Sequence, residues 1–186
     1  APLVYDGRHI PAASVSPVAA ETVVTVMSAS KAWNLPGLKC AQVILSNPAD
    51  IAVWRGMNWL NWMGAATVGI AANLAAYTGG ESWLDALVVY LRHNRDHQAR
   101  ALPERVPGLR VTRPEGTYLS WLDFRGLHLP EEPADYLLRT ARVALNPGIP
   151  FGAGTGCARM NFGTTRAILD KAIDAIAVAL AGYPAR

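Results

Sequence analysis

Two short runs of β-branched and apolar residues, Thr22 to Met27 and Ala41 to Leu45, enclose the loop Ser28-Ala29-Ser30-Lys31-Ala32-Trp33-Asn34-Leu35-Pro36-Gly37-Leu38-Lys39. Runs of this kind bounded by turn residues read as buried strands. The pattern therefore predicts Lys31 at the end of a buried strand, held by a loop and partly withdrawn from water. Withdrawal matters because a free lysine is protonated at neutral pH and does not attack carbonyls. Desolvation or a neighbouring cation releases the neutral amine. Lys39 is placed to act as such a cation, and Ser28 and Ser30 offer hydroxyl donors to an anion. One amine, two hydroxyls and a second positive charge suit a cofactor that carries both an aldehyde and a phosphate. The plainer reading stands beside this one: a surface lysine next to a strand, with the serines as turn formers.

Downstream of this loop the pattern turns helical. Asn47 ahead of Pro48 predicts a capped helix over Ala49 to Arg55, and Met63 to Tyr77 predicts a core helix closed by Gly79-Gly80. Ser82 to Arg100 carries Leu84, Leu87, Val88 and Leu91 at helical spacing and reads as a long amphipathic helix linking two domains. Past Pro107-Gly108 the texture changes. Leu109 to Thr112 and Thr117 to Asp123 suggest an antiparallel hairpin about Pro114-Glu115-Gly116. Pro133 to Leu145 reads as a helix, Ala158 to Phe162 as a strand, and Thr165 to Leu180 as a closing helix capped at Thr164 or Thr165. This order describes a small α+β domain, with the boundary near residue 107. The glycines at 148, 152, 154 and 156 do not lead from a strand into a helix, so they form either a mobile site loop or an inert connector.

Composition narrows the function classes. With 186 residues, 51% of them hydrophobic, the chain can bury a core. The net charge is only +3, and the basic run Arg92 to Arg105 reads as a solvated helix face, so no nucleic-acid partner is expected. The Met63 to Tyr77 stretch is shorter than the ~20 residues a membrane span needs, so no membrane partner is expected either. Cys40 and Cys157 have no metal-ligand spacing and read as buried thiols of a reducing cytoplasm. No metal site is expected.

Arg159, between Ala158 and Met160 in an otherwise apolar strand, is costly to bury unpaired. It needs an anion, either a structural carboxylate or a bound one. Trp33, Trp54, Trp59 and Trp62 read as core or subunit-interface residues, His9 as a surface residue, and Asn58 and Asn61 as loop caps. Alternation leaves the face of Tyr118 open.

Ser28-x-Ser30-Lys31 followed by Asn34-Leu35-Pro36-Gly37-Leu38-Lys39 resembles the Schiff-base lysine segment of fold-type I pyridoxal-phosphate enzymes of the class I/II aminotransferase family, in its cystathionine β-lyase (C-S lyase) branch. Ala158-Arg159-Met160-Asn161-Phe162-Gly163 resembles the family's late arginine strand, and Arg113 to Asp123 its small-domain hairpin. The resemblance implies an α/β fold. Residues 1–106 would be the C-terminal part of the large cofactor-binding domain, with the interdomain helix at about 82–100, and residues 107–186 the small α+β domain. It implies Lys31 as the catalytic, cofactor-linked amine, Ser28, Ser30 and Lys39 as cofactor-binding, and Arg159 holding the α-carboxylate of an amino-acid substrate. A homodimer is the family's usual state.

In the family the lysine falls past the middle of a longer chain, whereas here it lies near the start. Ala1-Pro2-Leu3-Val4-Tyr5-Asp6 resembles the stretch just after the family's ring-nitrogen aspartate, and the sequence is expected to be a carboxy-terminal piece of a larger enzyme. Three readings follow: a lyase or aminotransferase half that works in the intact chain, a piece silent by itself with exposed apolar surface, and a non-enzymatic interaction module.

Overall fold

A computed structural model describes residues 3–152 and 154–183, so Ala1 and Pro2 of the opening segment lie outside the described residues. The chain groups into two compact units, Ala1–Val88 and Val89–Arg186. The division falls inside a long helix, whereas the change of sequence texture puts the boundary at 106/107.

In the first unit, Ser16 caps a short helix, α1 (Pro17–Thr22), by accepting the Ala19 N–H. Thr22 therefore ends a helix and does not begin a strand. Two strands follow, β1 (Val24–Met27) and β2 (Gln42–Leu45), paired antiparallel with Val24 opposite Leu45. They bracket the lysine loop as expected, but they are not buried. Val26 is 66% exposed and Ile44 49%, in a sheet of only two strands.

Asn47 caps α2 (Pro48–Gly56), its Oδ1 accepting the Ala49 N–H at 2.8 Å. The apolar stretch after it forms α3 (Thr67–Gly79), which starts later than the pattern predicts and is not a core helix. Val68, Ile70 and Leu74 are exposed, and the buried face consists of Gly69, Asn73 and Ala76. A 3.6-residue period puts those three on one side, where their small size lets backbone approach closely.

The long helix α4 (Glu81–Arg105) continues past the expected end at Arg100 and through Pro103. Proline removes one intrahelical bond, yet Leu102 and Val106 are buried and the Val106 N–H still reaches the Leu102 carbonyl. The basic run on this helix is not simply a solvated face. Arg95 is 1% exposed, donating to Asp96 at 2.8 Å and to the Pro114 carbonyl at 3.2 Å, and Arg105 pairs with Asp174.

The second unit holds a four-stranded antiparallel sheet in the order β3-β4-β6-β5. Its strands are β3 (Arg110–Val111), β4 (Leu119–Asp123), β5 (Asn146–Pro147) and β6 (Cys157–Asn161). The expected hairpin is present, with Arg110 opposite Asp123. Helix α5 (Pro133–Ala141) stops short of the expected Leu145, because Arg142 turns into the left-handed region at φ 56°. The released residues supply β5, an edge strand where Pro147 lacks only an outward N–H. The closing helix α6 (Arg166–Leu180) is capped by Thr165. Leu122, Leu137, Phe162, Leu169 and Ile176 form the core of this unit. Among the described residues no helix is long and apolar enough to cross a membrane, and no acidic, histidine or cysteine cluster is arranged for a metal.

Candidate active site

The lysine loop owes its shape to α3. Trp33 N–H bonds to the Ala29 carbonyl and Leu35 N–H to the Ser30 carbonyl, both at 3.0 Å, and closes the turn that carries Lys31. Asn34 and Lys39 take left-handed backbone conformations at φ 54° and 45°. On the upstream flank the Ala29 N–H donates to Asn73 Oδ1 at 3.2 Å, and the Gln42 side-chain amide donates to the same oxygen at 3.2 Å. Asn73 is 5% exposed and donates in turn to the Gly69 carbonyl. In the middle, Trp33 Nε1 donates to the Gly80 carbonyl at 3.0 Å and its ring meets Tyr77 edge-on at 4.9 Å. Burial pushes the Tyr77 phenol above its ordinary range. On the downstream flank the Lys39 carbonyl accepts from Ala66 N–H. Leu38 lies so close to Gly69 that a Cβ there would fall 1.9 Å from its carbonyl oxygen.

This scaffold gathers three of the four expected cofactor residues. Ser28, Ser30 and Lys39 line one cavity of about 470 Å³, together with Cys40, Trp54, Asn61 and Trp62, and no carboxylate lines it. Two hydroxyls, an ammonium and a carboxamide around an aromatic-walled space match a small phosphorylated ring compound. Lys31 stands on the turn between the serines and Lys39 but does not line that cavity. It is exposed, which corrects the expected withdrawal from water. Its neighbours Ala29 and Ala32 are buried.

Arg159 belongs to the second unit. It sits in β6 between buried Ala158 and Met160 and on the opposite face from them. Its Nη2 donates to Asn146 Oδ1 at 3.0 Å, and the Phe151 ring lies 4.6 Å from its Cζ. Its Nε is buried without a hydrogen-bond partner. The structural carboxylate that one reading of the sequence called for is not there: among the described residues Arg159 makes no ion pair.

Residues 3–176 match the family model for class I and II aminotransferases. The chain belongs to the class I and II aminotransferase family. Within it, the chain is 42% identical to cystathionine beta-lyase of Corynebacterium glutamicum over 97% of its own length and 48% of that protein. A crystal structure assigned as a PLP-dependent beta-cystathionase of Corynebacterium diphtheriae superposes with a TM-score of 0.93 at 44% identity, covering 97% of this chain and 48% of that one. Cystalysin of Treponema denticola, which contains a pyridoxal 5'-phosphate cofactor, is 25% identical with a TM-score of 0.87, over 97% and 47% of the two chains. The fold is the α/β architecture these enzymes share, and the chain spans about half the length of the relatives it matches.

Several residues that hold the lysine loop, line the cavity or meet Arg159 are not singled out by sequence pattern. Asn73 was visible as a polar break in an apolar helix, but nothing in its spacing says which backbone it serves. Gly69 is one small residue among many, and Trp54, Trp62 and Asn61 read equally well as core or caps. Phe151 and Asn146 meet Arg159 only through a loop and an edge strand that local pattern does not reveal.

Proposed function

We propose that this chain is part of a pyridoxal-phosphate-dependent C-S β-lyase, which converts a sulfur amino acid and water into a thiol, pyruvate and ammonia. The observation that carries the reading is the carboxylate-free cavity shared by Ser28, Ser30 and Lys39 beside the turn of Lys31. The 42% identity to a cystathionine beta-lyase supports it. Bound pyridoxal phosphate supplies an aldehyde that an amine captures and a conjugated ring that takes up the electron pair released at the substrate Cα. The residues of this chain do the rest. Lys39 and the two serine hydroxyls hold the dianionic phosphate by charge-assisted hydrogen bonds. Trp54 and Trp62 shield the ring from water. Lys31 is the amine that anchors the cofactor and, once neutral and freed by substrate, takes the Cα proton as general base. Arg159 holds the substrate α-carboxylate in the plane of its guanidinium, which fixes the orientation of the Cα bonds.

The whole protein works as a cytoplasmic homodimer on a small-molecule amino acid in this reading. The apolar surface of the first unit, including Val26, Ile44, Val68 and Leu74, is buried against further polypeptide in the working enzyme. Transamination draws on the same residues and is the competing outcome, so the assay must separate the two. Full-length protein supplied with pyridoxal phosphate and L-cystathionine is expected to release pyruvate and a free thiol, and Lys31→Ala to abolish both. Transfer of the amino group to a keto acid, with no pyruvate and no thiol, would make it an aminotransferase instead.

A further inference from the structure

Arg159 is framed by three neighbours of its own unit. In register across the sheet it lies between Trp121 of β4 and Asn146 of β5, so all three side chains leave the same face. Asn146 accepts one Nη2 hydrogen at 3.0 Å. The loop between β5 and β6 then lays Phe151 against the guanidinium, with Cζ 4.6 Å from the ring centroid. Trp121 props that ring edge-on, at 5.9 Å and 90°. Backbone bonds set the loop's shape. Gly148 N–H reaches the Cys157 carbonyl and Cys157 N–H the Gly154 carbonyl, and a Cβ on Gly154 would lie 2.0 Å from the Gly148 oxygen. The glycines of this segment are therefore what lets it fold tightly enough to deliver Phe151. Phe151 itself is 51% exposed, so core burial does not explain where it sits.

We infer that Phe151 is a positioning residue for the anion-binding edge of Arg159, an inference that rests on reading Arg159 as the holder of the substrate carboxylate. The ring covers one face of the guanidinium and Asn146 occupies one N–H. A carboxylate is left the guanidinium N–H groups that are neither tied to Asn146 nor buried with Nε. A planar cation stacked on an aromatic face and tethered at one corner loses less orientational freedom when it pairs with a carboxylate. The stack thereby selects ligands that present a planar anion in the guanidinium plane.

The test is equilibrium binding of L-alanine, and of ethylamine as its carboxylate-free counterpart, to full-length protein loaded with pyridoxal phosphate. It compares Phe151→Leu, Phe151→Tyr, Arg159→Gln and the Phe151→Leu/Arg159→Gln double variant by titration calorimetry. Phe151→Leu is expected to weaken L-alanine binding about three- to tenfold, leave ethylamine unchanged, and add no further loss in the Arg159→Gln background. Phe151→Tyr keeps the ring and is expected to bind like wild type. Wild-type affinity in Phe151→Leu alongside a weakened Arg159→Gln would overturn the inference and leave the role of Arg159 standing. Losses that multiply in the double variant would do the same. Unchanged L-alanine binding in Arg159→Gln would remove the carboxylate role and this inference with it. Loss of ethylamine binding would mark a folding defect in the leucine variant, in which case Phe151→Trp replaces it and is expected to retain L-alanine binding; tenfold weaker binding there, with ethylamine intact, would contradict the stack.

Discussion

Asn73 Oδ1 accepts the Ala29 backbone N–H at 3.2 Å, and this bond between the middle of α3 and the residue two before Lys31 fixes where the lysine turn begins. The same oxygen accepts from Gln42 on the strand that leaves the loop, so one carboxamide ties both ends of the loop to one helix.

Replacing Asn73 by Ala strands the Ala29 N–H and leaves the Gln42 amide only the Cys40 sulfur. The expected loss of stability is about 1–3 kcal/mol, measured by urea unfolding of the full-length protein. Hydrogen exchange at the Ala29 amide is expected to rise with it. Unchanged exchange at Ala29 would show that the bond does not hold the turn.

Two glycines of α3 separate packing from helix propensity. Gly69→Ala drives a methyl group to within 1.9 Å of the Leu38 oxygen, and the expected cost is about 1–3 kcal/mol. Gly79 has open space about its would-be Cβ, so Gly79→Ala is expected to be neutral or to stabilise by up to about 1 kcal/mol. Thermal unfolding of the two variants side by side checks the contrast.

Lys39 and Ser28 are expected to act on the cofactor's phosphate alone. Lys39→Ala should weaken pyridoxal phosphate binding about ten- to a hundredfold, and Ser28→Ala less, by about two- to tenfold. Neither should alter the affinity for pyridoxal, which lacks the phosphate. Fluorescence titration with the two compounds reads this directly, and an equal loss for both would place Lys39 elsewhere.

A pH effect follows from the end of β4. The Arg125 side chain donates to Asp123 at 2.9 and 2.7 Å and its backbone N–H at 3.0 Å, and these bonds hold the Asp123 carboxyl down at about 2 against an ordinary 3.8. A carboxyl depressed in the folded state stabilises above its unfolded pKa and loses that contribution as pH falls through the folded one. The stabilisation is therefore full above about pH 5, is lost as pH falls through the folded value, and is gone by about pH 1. Partial solvent screening keeps it on the order of 1 kcal/mol. Asp123→Asn should flatten that part of the acid unfolding curve, followed by hydrogen exchange at the Leu122 and Phe124 amides.

The elements most legible in the sequence were those whose signals are local. Asn47-Pro48 and Thr165 cap helices as their side chains require, and the strand expected over Ala158 to Phe162 is present as Cys157–Asn161. Burial was harder to read. An apolar pattern states which residues avoid water but not what covers them, so β1, β2 and α3 read as core while much of their apolar surface lies open in this chain. The site divides in the same way. Ser28, Ser30, Lys31 and Lys39 stand within one loop and announce themselves by type and spacing. Asn73, Trp54, Trp62 and Phe151 come to their places only through tertiary packing, which no spacing encodes. The exposure of Lys31 was misread for that reason as well.

The central claim is that Lys31 is the amine that carries the cofactor, and it is tested by trapping. Full-length protein is incubated with pyridoxal phosphate, reduced with borohydride, digested and sequenced by mass spectrometry. A reduced phosphopyridoxyl adduct on Lys31, absent from Lys31→Ala, is the predicted result. An adduct confined to Lys39 or Lys171, or none on Lys31 under saturating cofactor, would contradict it.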